Sequence, residues 1–74
     1  MKRIPALKPK EVIRVLEKAG FCFARQKGSH RLYKKDNIRV TIPFHNKDLK
    51  KGTLRRIIHQ IDLSVEEFYN LLKK

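Results

Sequence analysis

FCFARQKGSHRLYKKDNIRVTIP, residues 21–43, decides the fold. Its last part, Ile38-Arg39-Val40-Thr41-Ile42, alternates apolar and polar residues over five positions. That period of two predicts a strand with one buried face. Lys35-Asp36-Asn37 precedes it as a turn, because Asp and Asn tolerate turn dihedrals. Ser29 to Lys34 reads as a second strand, with Leu32 and Tyr33 its strongest β-formers. Lys27-Gly28 marks a further turn, and Phe21-Cys22-Phe23-Ala24-Arg25 reads as the first strand. Turns this short join antiparallel neighbours, so the three strands form a meander. Pro43 lacks an N–H, and it ends the third strand or places it at a sheet edge.

Helical patterns flank the meander. Pro9 suits a first helical position, although Lys8 is a poor N-cap. Val12, Leu16 and Ala19 share one face with Ile13 beside them, and Gly20 stands where a left-handed C-cap stops a helix. After a polar, basic loop from Phe44 to Lys51, Gly52-Thr53 introduces a second helix with Thr53 as its N-cap. Leu54, Ile57, Ile58 and Ile61 are its apolar stripe, and Arg55 and Arg56 face away. Ser64-Val65-Glu66-Glu67 is a capping-box pattern opening a third helix, with Val65, Phe68, Leu71 and Leu72 inward. The order is α-β-β-β-α plus a terminal helix, an α+β sandwich with helices on one face of a three-stranded sheet. The other sheet face is left open and polar.

Composition bounds the function. Nineteen Lys and Arg against seven Asp and Glu give a net charge of +12 on 74 residues. A chain this short reads as one domain, 1–74, too small to enclose a large cofactor and keep a core. Seventeen of the basic residues precede residue 62, so the charge belongs to the body of the domain and not to a tail. Such a surface seeks a polyanion, with nucleic acid ahead of a membrane surface. The basic residues are spread over sheet and loop, not along one amphipathic helix, which disfavours the membrane. No apolar run approaches the roughly 20 residues of a spanning helix. Met1 to Lys8 begins as a signal peptide does, but no apolar segment follows, so the chain reads as soluble and cytoplasmic. The single Cys22 excludes an internal disulfide and reads as an inert packed thiol. It and His30, His45 and His59 have no metal-ligand spacing, so neither metal nor cofactor is expected.

Three pieces recur in one known combination: Gly20-Phe21 leading to Arg25-Gln26-Lys27-Gly28-Ser29-His30, then Ile42-Pro43-Phe44-His45, then Lys50-Lys51-Gly52-Thr53-Leu54. Together they resemble the HicA (YcfA-like) mRNA interferase toxins of HicAB toxin–antitoxin systems. The resemblance covers about residues 8–61, and 62–74 is an additional helix. It implies an α-β-β-β-α fold similar to double-stranded RNA-binding domains. It also implies a ribonuclease that cleaves mRNA and blocks translation, with a HicB-type antitoxin as partner. The family's catalytic histidine falls on His30. The Ser or Thr that often caps the family's first helix is absent here.

The chemistry of these residues fits that role. Metal-free RNA cleavage needs a proton taken from the attacking 2′-hydroxyl and one given to the leaving 5′-oxygen. Histidine, with an ordinary pKa of about 6.5, does both near neutrality. Arg25, Lys27, Arg31, Lys34 and Lys35 surround His30 in sequence and are candidate RNA contacts that hold phosphate and its developing charge. Gly28 allows close approach of a phosphate to the backbone beside Ser29. Lys50 and Lys51, with Lys47, Arg55 and Arg56, form a second basic cluster near a helix start. His45 is a candidate second acid/base, though a loop-packing role is the plainer reading, and His59 reads as partly exposed. Tyr33 and Phe44 could stack on bases, but packing accounts for each as well. Strand parity sets His30 on the face of Leu32, which the pattern assigns to the core side. His30 is then usable because it begins its strand, at the rim of the sheet. The alternatives are a non-catalytic basic RNA-binding module, which needs only the same sheet and charge, and a ribosome-associated basic protein.

Overall fold

A computed structural model of the chain describes residues 6–73. Its elements run α1 (Pro9–Lys18), β1 (Cys22–Lys27), β2 (His30–Lys35), β3 (Ile38–Pro43), α2 (Lys51–Gln60) and α3 (Val65–Lys73). The strands form one antiparallel sheet in the order β1-β2-β3. The α-β-β-β-α part of this arrangement is consistent with the fold of double-stranded RNA-binding domains, and α3 is added to it. Met1 to Pro5, and with them most of the basic N-terminal stretch, lie outside the described residues, as does Lys74.

α1 forms despite its weak cap because Glu11 substitutes for one. The Glu11 carboxylate accepts the Lys8 backbone N–H at 3.0 Å, half of a capping box. The helix ends in a Schellman motif: Phe21 N–H donates to the Leu16 carbonyl at 2.9 Å and Gly20 N–H to that of Glu17 at 3.1 Å. Gly20 supplies the required positive φ of 100°. The motif tucks Phe21 into the core before β1 begins, so β1 runs from Cys22 to Lys27 and not from Phe21 to Arg25. β2 likewise starts and ends one residue later than the pattern suggests. Gly28-Ser29 and Asp36-Asn37 are the two turns, opening at φ 58° on Gly28 and 52° on Asp36.

One face of the sheet carries the core. Val40 and Ile42 of β3 and Tyr33 of β2 are buried against Val12, Val15 and Leu16 of α1 and Leu54, Ile57 and Ile58 of α2. Each such side chain contributes about 1.5–3 kcal/mol relative to leaving it in water. The sequence pattern assigned Leu32 to this face, and the sheet assigns Tyr33 instead: Tyr33 is 2% exposed and Leu32 is half-buried. The larger ring fills the space between the helices, and with it the parity of β2 is fixed. Cys22, expected to be packed, is exposed for the same reason, being paired with Lys34 on the open side. α2 begins at Lys51, not at Thr53, and Lys50 is its N-cap. The loop before it is not wholly polar, because buried Leu49 anchors it and donates its N–H to the Leu7 carbonyl at 2.8 Å. α3 packs on α1. Phe68 enters the core, and Lys18 Nζ donates to the Leu71 carbonyl at 3.1 Å.

Candidate nucleic-acid interface

Cross-strand partners share a face of a sheet. The register therefore lays out the open side in three rows. They are Cys22, Lys34 and Arg39; then Arg25, Leu32 and Thr41; then Lys27, His30 and Pro43. Four cations and one histidine stand here, and among the described residues Arg25, Lys27, His30, Lys34 and Arg39 are all exposed. His30 is on this face with Leu32, as parity requires, but the face is the open one and not the core side.

A β-bulge makes this arrangement. Simple alternation from Phe23 would place Phe23, Arg25 and Lys27 on one side. The register slips between Phe23 and Arg25, leaving Ala24 as the extra residue. Phe23 stays on the helical side, its ring edge-on to Tyr33 at 5.8 Å, while Arg25 and Lys27 turn to the open side beside His30. Arg39 completes the face. It is the polar half of the β3 alternation, a signal already visible in sequence but not weighed there as a contact.

The remaining candidates lie elsewhere. Arg31 and Lys35 alternate onto the helical side of β2. Lys35 Nζ donates to the Ala19 carbonyl at 2.7 Å, capping α1, and stands 5.9 Å from the Phe21 ring centre. Arg31 is half-buried over the Phe44 ring, its guanidinium carbon 3.7 Å from the centroid. Lys50 and Lys51 are exposed at the start of α2, in the helical layer. Gly28 and Ser29 are the exposed β1–β2 turn, immediately before His30. His45 is exposed beyond β3, its Nδ1 accepting the Lys47 N–H at 3.1 Å, which leaves Nε2 outside that bond. It lines a shallow depression of about 200 Å³ with Lys8, Lys10, Phe44 and Asn46. The two lysines of that depression escaped the sequence reading, since they lie far from the motif along the chain. Tyr33 is core, so its ring is unavailable for stacking on a base.

Fold and face together define a class: a small α+β protein of double-stranded RNA-binding-domain architecture with a bare, basic sheet surface. The sequence profile of the family described as HicA toxin of bacterial toxin-antitoxin matches residues 9–63. The chain belongs to the HicA family of toxins, and membership carries with it an antitoxin partner. No curated protein matches the chain. The matched span ends before α3. No helix among the described residues is long and apolar enough to cross a membrane.

Proposed function

We propose that this toxin is an endoribonuclease that cleaves mRNA without a metal, through His30, and that a HicB-type antitoxin neutralises it. The observation that carries the reading is the placement of His30. In a chain of the HicA family, this histidine stands exposed at the end of the open sheet face, beside a turn and among four cations. RNA lies across that face. Arg25, Lys27, Lys34 and Arg39 hold successive phosphates, and the Gly28-Ser29 backbone approaches the one at His30. The imidazole takes the proton from the 2′-hydroxyl as it attacks phosphorus, or delivers one to the departing 5′-oxygen. Lys27, directly across from His30, offsets the charge gathering on the phosphoryl oxygens. His45 is the candidate for the second proton-transfer role, and Lys50 and Lys51 extend the contact around the edge. Arg31 and Lys35, with their charged ends on the helical side, bear on the RNA indirectly. An antitoxin that covers such a face presents excess Asp and Glu to it.

Induced expression of the wild type and of His30→Ala tests the reading, with growth and RNA integrity followed together. The wild type is expected to halt growth and fragment mRNA, and the variant to do neither while still binding RNA. RNA cleavage by His30→Ala at the wild-type rate sinks the assignment. RNA binding by both forms, with cleavage by neither, makes the protein a binding module.

A further inference from the structure

Arg31 sits next to His30 in sequence and opposite it in space. Its guanidinium meets Gln26, Phe44 and Phe23. Its Nε donates to Gln26 Oε1 at 3.0 Å. The same Gln26 amide donates from Nε2 to the Gly28 carbonyl at 2.9 Å, inside the turn. The guanidinium plane lies over Phe44 at 3.7 Å and within 5.9 Å of the Phe23 ring, both in cation–π range. Phe44 closes the circuit, its N–H donating to the Ser29 carbonyl at 2.6 Å. The path runs from Gly28 through Gln26, Arg31 and Phe44 back to Ser29. It encloses the backbone on which His30 is mounted.

From this geometry we propose that Arg31 is a positioning residue for His30. With Gln26 and Phe44 it clamps the Gly28-Ser29 turn to the end of β3, and it makes no phosphate contact. The inference rests on the ribonuclease reading for its consequence in catalysis, though not for the clamp itself. Alternation along β2 forces the division of labour. Residue 30 faces open solvent and residue 31 the helical side, so Arg31 cannot share a phosphate with the imidazole. Through Gln26 and Phe44 it braces the two peptide units that precede His30, Gly28-Ser29 and Ser29-His30. The clamp needs a planar fork that stacks and donates in its own plane, which a lysine ammonium does not provide. Gly28 gives the turn its positive φ, and nothing among the described residues comes within 4 Å of where its Cβ would stand, so no side chain at this position braces the turn. The clamp supplies the rigidity. It also ties the loop bearing His45 to the strand bearing His30, so the two imidazoles keep a fixed relation.

The test compares Arg31→Lys and Gln26→Met with the wild type in two measurements. Gln26 is exposed, so its variant keeps the fold even if Arg31→Lys does not. The first measurement is amide hydrogen exchange of Phe44, whose N–H closes the circuit. Faster exchange is expected in both variants, and exchange unchanged from wild type in both overturns the clamp. The second is steady-state cleavage of an RNA oligonucleotide. A displaced catalytic group lowers kcat by about one to two orders of magnitude with little change in KM. A loss confined to KM, with kcat unchanged, is the mark of a residue that binds substrate and overturns the positioning role. So does an unchanged kcat in variants whose Phe44 exchange has quickened. A wild type that cleaves no RNA refutes the ribonuclease reading alone, and the exchange measurement then decides the clamp by itself.

Discussion

Lys34 and Arg39 stand directly opposite each other on β2 and β3, both exposed on the open face. Like charges in such a pair destabilise a sheet, and Cys22, the third member of the row, offers them no counter-charge. A pair that costs stability in the free protein is a sign that the charge serves a partner. Arg39→Thr removes the repulsion and places a good strand former at the site. The substitution is expected to stabilise the fold by a few tenths of a kcal/mol in urea titration. On the ribonuclease reading it also weakens RNA association, with the slope of log K against log salt falling by about 0.7. Equal stability together with equal salt dependence would count against this account of the face.

α3 is the clearest case of an element specified by its own first turn. The Ser64 N–H donates to Glu67 Oε1 at 2.9 Å, and the Glu67 N–H donates to Ser64 Oγ at 3.0 Å, a complete capping box. The Ser64 backbone N–H, and then its hydroxyl, hold the Glu67 carboxyl below the usual glutamate value. A depressed folded pKa contributes stability that is whole above the unfolded value of about 4.3. It drains away as the pH falls through the lower folded value. Ser64→Ala removes the cap, with an expected cost of about 1 kcal/mol at neutral pH. The variant keeps the backbone N–H that does most to lower the Glu67 carboxyl and loses only the hydroxyl, so it is expected to lose slightly less stability than the wild type as the pH falls from about 5 through the glutamate range. Thermal melts of both proteins across that range measure the difference, and parallel curves would exclude the hydroxyl's share of the linkage. α2 shows a limit of propensity. α2 starts at Lys51 although Thr53 is the better cap, because Leu49 is drawn into the core and the chain must turn helical soon after it.

In the whole molecule, the helical layer is one core shared by three helices, and α3 belongs to it although it lies beyond the residues that the family profile matches. Phe68 is 1% exposed. Phe68→Ala is expected to cost about 3–5 kcal/mol, a large part of the 5–15 kcal/mol that holds a small domain together. Urea denaturation measures it, and a loss under about 1 kcal/mol would mean that α3 is an appendage and not a wall of the core. The open face responds differently. Its side chains are solvated, so their substitution leaves folding within about 0.5 kcal/mol. Stability and the exposed basic surface are thus built from opposite sides of one sheet.

Much of this was legible in the residues themselves. The alternation of Ile38 to Ile42 fixed β3 and its buried face, Gly20 and Ser64 fixed a helix end and a helix start, and Gly28-Ser29-His30 marked the proposed site. These features are local, and short-range sterics and periodicity decide them. Three matters were settled only by the tertiary structure. Whether Leu32 or Tyr33 turns inward depends on which side chain fills the space between α1 and α2, and Tyr33 does. That Arg25 and Lys27 join His30 depends on the bulge at Ala24, an extra residue that no period of two reveals. That Arg31 grips Phe44 while Lys34 and Arg39 stay in water depends on the strand register. In this +12 chain the sequence determined how many charges there are, and only the packed sheet decided which side of it each one occupies.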